Sequence, residues 1–209
     1  DTIKLSSEKP LVNTSAIVSL NTVVTKPERT LVLGWNRQGA TILKELEQYV
    51  AEGSSVTVVS SHDVAEDLQR AVLYKQKVSV HTGDTTDRRV LESLNVMTFD
   101  HIIVLAYGDT LEPQQADAKT LITLLHLRDI SDLAGKPLSI VSEMLDNRNR
   151  ELAEVTKADD FIVSDKLVSL MLSQISENKQ LAEVFRFLFS SVGSEIYLRP
   201  VTDYVKADT

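Results

Sequence analysis

The residues best placed to do chemistry are Gly34, Trp35, Asn36, Arg37, Gln38 and Gly39, which follow the apolar run Thr30–Gly34 and open a helix-period segment. A glycine turn between strand and helix can cradle a pyrophosphate, because the first N–H groups of the helix are unpaired and carry the positive end of its dipole. The match to that pattern is partial. Gly34 and Gly39 fit, but the middle position, where glycine lets backbone approach phosphate, is Asn36, and the spacing reads G-x-N-x-x-G. A carboxylate about 20 residues on, which would accept from ribose hydroxyls, is also missing, and Ser60, Ser61 and His62 stand in its place. Arg37 and His62 would suit a more phosphorylated ligand. The same residues also make sense without one: the glycines allow close strand-to-helix packing, and Trp35 fills the mouth of an empty crevice. After the third apolar run, Gly83 and Asp84 open a turn in which Asp84 either accepts from a base or ribose or shapes the turn beside an Asp87 helix cap.

Other groupings are weaker. Asp109, Glu112 and Asp117 lie in or beside the loop after the fourth run; oxygen-rich loops suit Ca²⁺, but no EF-hand spacing is present, and a solvated acidic loop is the alternative. His62, His81, His101 and His126 show no zinc-ligand spacing, and the chain has no cysteine, which removes thiolate metal sites, disulfides and thiol nucleophiles. No Tyr precedes a Lys by four residues, and neither a G-x-S-x-G elbow nor a P-loop occurs. The polar run from Asp146 to Arg150 reads as a helix cap with a solvated face.

The elements that must position these residues follow from alternation. Short β-rich runs at Thr30–Gly34, Ser55–Ser60, Lys77–His81, His101–Ala106, Leu138–Glu143 and Asp160–Val163 are separated by helix-period segments at Gln38–Glu52, Asp63–Lys75, Asp87–Asn95 and Gln114–Ile130. Continuously apolar strands indicate a sheet covered on both faces, so the expected fold is α/β, a Rossmann-like doubly wound parallel sheet. Asp63 and Glu66 have capping-box spacing, Gly53 ends the first helix, and the fourth, crowded with leucine, is expected to be deeply buried. Two helices then follow in succession, Asp165–Ile175 and Asn178–Ser190. The second carries Leu181, Val184, Phe185, Leu188 and Phe189 on one stripe, widened by Phe187, which asks for a partner surface. Residues 1–28, with a β-rich stretch at Ala16–Thr25, read as the end of a preceding unit or as a strand that docks elsewhere; 29–164 as the main domain, 165–192 as paired helices, and 193–209, with a strand-like Glu195–Leu198, as the start of a further lobe.

Hydrophobic content of 43%, charged content of 25% and only 7 Gly and 5 Pro describe an ordinary globular chain. A net charge of −8 opposes binding to nucleic acid. No apolar run approaches the roughly 20 residues of a membrane span. The chain opens on Asp1 rather than Met, so it reads as a piece of a longer protein.

The strand, GWN turn and helix, then VHTGDTTDRRVLESL, FDHIIVLAYGD and QADAKTLITLLHLRDI, resemble the RCK domain, the Rossmann-like regulator of conductance of potassium channels and Trk-type uptake systems. SEMLDNRNRELAEV, DDFIVSDKLVSLMLSQISENKQLAEVF and LFSSVGSEIYLRP resemble the second cytosolic RCK domain of CASTOR/POLLUX-type cation channels, the likeness running from Arg29 to Tyr204. That resemblance implies a gating module at the cytoplasmic face of a membrane. It would pair through the crossover helices after strand six, in a ring below a pore carried by the same or a partner chain. Ligands known across such domains include nucleotides, NAD(H) and cations such as Ca²⁺. The departures at Asn36, Ser60 and Ser61 separate this chain from the NAD-binding subset. Two rival readings remain: a nicotinamide-dependent oxidoreductase whose catalytic half lies elsewhere, and a dimerisation module with a vestigial site.

Overall fold

A computed structural model describes residues 13–18, 26–149, 160–190 and 201–206. Strands β1 (Arg29–Leu33), β2 (Ser54–Ser60), β3 (Gln76–Thr82), β4 (His101–Val104), β5 (Ile140–Met144) and β6 (Asp160–Val163) form one parallel sheet in the order β3-β2-β1-β4-β5-β6. Helices α1 (Gly39–Tyr49), α2 (Ala65–Leu68), α3 (Arg88–Ser93) and α4 (Pro113–Ala134) connect the first five strands; α5 (Ser164–Glu177) and α6 (Leu181–Leu188) follow β6.

Side chains alternate across a strand, and that alternation divides the core in two. Leu31 and Leu33 point into a cluster with Ile102, Val104, Leu91 of α3, and Leu124 and Leu127 of α4. Val32, between them in sequence, joins Val56, Val58, Leu43 of α1 and Trp35 on the other face. The chain winds outward from β1 to β3, crosses back to β4, and winds outward again, as right-handed crossovers require. The carboxyl ends of β1 and β4 therefore diverge at the point where strand order reverses, which is where sheets of this kind leave a crevice.

Four expectations need correction. The second helix is α2 alone, four residues rather than Asp63–Lys75, because the following loop is held elsewhere: the Tyr74 and Lys75 N–H groups donate to the buried Glu47 carboxylate of α1. No reciprocal capping box forms there; Asp63 instead accepts from the Ala65 N–H. Helix α4 is longer than expected and buried on one side only, through Ala116, Asp117, Thr120, Thr123, Leu124 and Leu127, while Ile122 and Leu125 face outward. It stops at Gly135, whose positive φ of 64° lets its N–H and that of Lys136 turn back onto the carbonyls of the last turn. Helix α1 ends at Tyr49, before Gly53, whose φ of 91° makes the turn into β2. The Asp87 cap on α3 forms as expected, with the carboxylate accepting from the Arg89 N–H.

The terminal stretches, assigned by sequence to separate units, meet each other. Ile17 and Val205 form an antiparallel bridge, Val18 N–H donates to the Tyr204 carbonyl and Lys206 N–H to the Ala16 carbonyl. Residues 19–25, Glu195–Leu198 and Arg150 lie outside the described residues.

Candidate functional site

The structure brings all ten sequence-singled residues to one edge of the sheet: Gly34 to Gly39 after β1, Ser60 and Ser61 at the end of β2, Gly83 and Asp84 after β3. Gly34 is required by close approach as well as by conformation. Its φ is 87°, and a Cβ there would lie 2.2 Å from the Leu105 carbonyl oxygen of the neighbouring strand end. A Cβ on Gly39 would lie 2.7 Å from the Trp35 ring, which folds over the start of α1 and donates from Nε1 to Asp67 of α2 at 3.1 Å.

Three backbone donors of the turn are already used. Arg37 N–H donates to the Asp109 carboxylate, and its guanidinium Nε lies 3.8 Å from the other oxygen of Asp109. Gln38 N–H donates to Asn36 Oδ1 at 3.0 Å, and Gly39 N–H to the Asn36 carbonyl. The buried Asn36 amide donates to the Ala106 carbonyl at 2.9 Å and to Glu143 Oε2 at 2.7 Å, and Glu143 Oε2 also accepts from the Ala106 N–H. Asn36 therefore joins the ends of β1, β4 and β5. A glycine there would leave this junction open for phosphate.

The ribose and base positions are likewise engaged. Ser60 is fully buried and its hydroxyl accepts from the His62 N–H; Ser61 contacts the His62 ring nitrogen Nδ1. Gly83 packs against Val90 of α3. The Asp84 carboxylate accepts from the N–H and hydroxyl of Thr86 and pairs with the Lys119 ammonium at 3.1 Å. Partial burial raises its pKa, but the Thr86 N–H and the Lys119 ammonium outweigh this and hold it below the ordinary aspartate value.

Sequence reasoning missed Tyr107. Its ring lies beside Gly34, 5.9 Å from the His62 ring, with Lys119 Nζ 4.5 Å over its face, so it crosses the crevice from β4 towards β2. Glu143 was also missed; the signal was a lone carboxylate closing an otherwise uncharged strand, LSIVSE. Asp109, Glu112 and Asp117 do not share an ion. Asp109 faces Arg37, Glu112 precedes α4 without a side-chain cap bond, and Asp117 is buried, accepting from the N–H groups of Leu145 and Asp146 and the Asn149 amide. Neither an oxygen-rich cation loop nor a solvated acidic loop describes Asp117. Asp146 caps the helical turn at 147–149 by accepting from the Arg148 N–H, as read from sequence. Among the described residues no three His, Asp or Glu side chains are grouped to hold a metal.

Two clefts remain. A polar one of about 530 Å³ lies outside the α1 start, lined by Arg37, Lys44, Arg70, Asp63, Asp67 and Asp109 among others. An apolar groove of about 580 Å³ lies along α1 and strands β4, β5 and β6, lined by residues such as Ile42, Leu46, Ile103, Val141 and Ile162. The residues present do not fit a dinucleotide held in the usual way: the ribose carboxylate is absent, and the Arg37, Gln38 and Gly39 N–H groups of the turn are bonded internally.

A six-stranded parallel sheet with a glycine turn at its switch point defines a Rossmann-type domain. The TrkA-N domain model matches residues 30–164, and the chain belongs to that family. It is similar to the probable ion channel CASTOR of Oryza sativa subsp. japonica, 31% identical over 87% of this chain and 24% of the relative. It is also similar to the probable ion channel POLLUX of Arabidopsis thaliana, 30% identical over 86% of this chain and 26% of the relative. The chain thus spans about a quarter of the length of these curated relatives. Among solved structures, the NAD(P)-binding domain of an exopolyphosphatase-related protein from Archaeoglobus fulgidus superposes with a TM-score of 0.51, at 18% identity over 72% of this chain and 98% of that one. This likeness supports the fold.

Proposed function

We propose that the chain is a non-enzymatic regulatory domain of a cation channel of CASTOR/POLLUX type, placed at the cytoplasmic face of a membrane and coupled to a pore in the same or a partner chain. The observation that carries this reading is the likeness to ion channels along 86–87% of the chain. Regulation of this kind needs two assembly geometries that a bound species or a neighbouring subunit stabilises unequally; coupling of about 1–3 kcal/mol per site, added over several copies, moves a gate.

Association through α5 and α6 fits that role. Val184, Phe187, Leu188 and Phe189 are exposed on or at the end of α6, the Phe185 and Phe189 rings stack with centroids 6.3 Å apart, and Leu167, Val168, Leu170 and Leu172 are exposed on α5. With Leu181, these α6 side chains form a surface suited to a second copy of the chain.

The test is sedimentation equilibrium on the full chain and on the double variant Phe185→Asp, Leu188→Asp. Concentration-dependent assembly of the wild type, lost in the variant, supports the reading. A wild type that stays monomeric at high concentration contradicts the association claim. Turnover of NADH or NADPH with any carbonyl substrate would contradict the non-enzymatic one.

A further inference from the structure

In this crevice the chain supplies its own anion. The Arg37 N–H at the start of α1 and the Arg37 guanidinium both face Asp109, a residue 72 positions away that the β4–α4 loop delivers. That loop is itself tied down, with the Thr110 and Leu111 N–H groups donating to the Tyr107 carbonyl. Tyr107, 2% exposed, fills the adjoining space between Gly34, His62 and Lys119. Its hydroxyl is buried and has no hydrogen-bond partner among the described residues. Asp63 and Asp67 line the same polar cleft as Asp109 and add negative charge to it.

We infer that this domain has closed its dinucleotide cradle from within: the Asp109 carboxylate occupies the place of a ligand phosphate, and phosphate-bearing ligands enter only when Asp109 is displaced. A carboxylate at a helix N-terminus makes the same charge-assisted contact that a phosphate would, and two anions cannot share one set of donors. Asn36 reinforces the closure, because its amide spends both donors on Ala106 and Glu143, where a glycine would leave room. The geometry belongs to the domain itself and holds whether or not the domain gates a channel.

Isothermal titration of ADP and of inorganic pyrophosphate into the full chain tests this, with Trp35 fluorescence as a second readout and Asp109→Ala and Asp109→Asn as variants. The wild type is expected to give neither heat nor a change in Trp35 emission. Asp109→Ala should bind both probes at least about tenfold more tightly, the ratio expected from freeing a helix-terminal donor site. Asp109→Asn, which keeps an acceptor for the Arg37 N–H and drops the charge, should fall between and guards against a folding defect in the alanine variant. Equal binding by wild type and both variants would overturn the inference. So would the absence of binding in all three, since Asp109 would then not be what keeps anions out.

Discussion

The carboxyl edge of the sheet and the α5–α6 segment meet the same demand, partners for exposed groups, in opposite ways. At the edge, backbone donors are answered by the chain's own carboxylates: Asp84 for Thr86, Asp109 for Arg37, Asp117 for Leu145 and Asp146, Glu143 for Ala106. On α6, apolar side chains are left without answer, with Phe189 60% exposed. Buried polar groups must pair locally because a lost hydrogen bond is not replaced by water, whereas an apolar face can wait for another molecule. The contrast agrees with the proposal that the chain associates through α5 and α6.

Substitutions sharpen this comparison. The largest effect is expected from Gly34→Ala, which combines a φ of 87° with a Cβ 2.2 Å from the Leu105 carbonyl; a loss of at least about 3 kcal/mol in urea unfolding is predicted. Glu143→Ala strands the Asn36 amide and the Ala106 N–H in the interior and should cost about 2 kcal/mol, with Glu143→Gln recovering part of it. Phe189→Asp should change the stability of the monomer by no more than about 0.5 kcal/mol while weakening association, the reverse of the two edge variants.

The smallest effect is one of pH and reads a third carboxylate. Burial pushes the Glu47 pKa up, but the Lys75 and Tyr74 N–H groups and the Gln76 side chain outweigh it and leave the value lowered. A lowered folded-state pKa gives stability that is complete above the unfolded value of about 4.3 and is lost as pH falls through the folded value. Urea midpoints should therefore drop on acidification below the ordinary glutamate range, and Glu47→Gln should reduce that drop. An unchanged slope in the variant would remove Glu47 from the account.

The sheet was legible because its strands are apolar runs, β1 and β3 closed by Gly34 and Gly83, and β6 falls on the expected residues Asp160–Val163. The helix expected over Asp63–Lys75 misled because Val64, Leu68, Ala71 and Val72 keep helical spacing, yet the loop's N–H groups are taken by Glu47, 27 and 28 positions earlier. The position of the crevice could be read from GWNRQG, but its closure could not. Asn36 meets Glu143 across 107 positions and Arg37 meets Asp109 across 72, and no local spacing signals such pairs.

The most direct test of the contrast is hydrogen exchange on the full chain, followed across protein concentration and with and without ADP. Protection at 181–189 should rise with concentration, while protection at 36–39 stays the same whether ADP is present or not. Protection at 36–39 that appears only with ADP, together with exchange at 181–189 that ignores concentration, would contradict it.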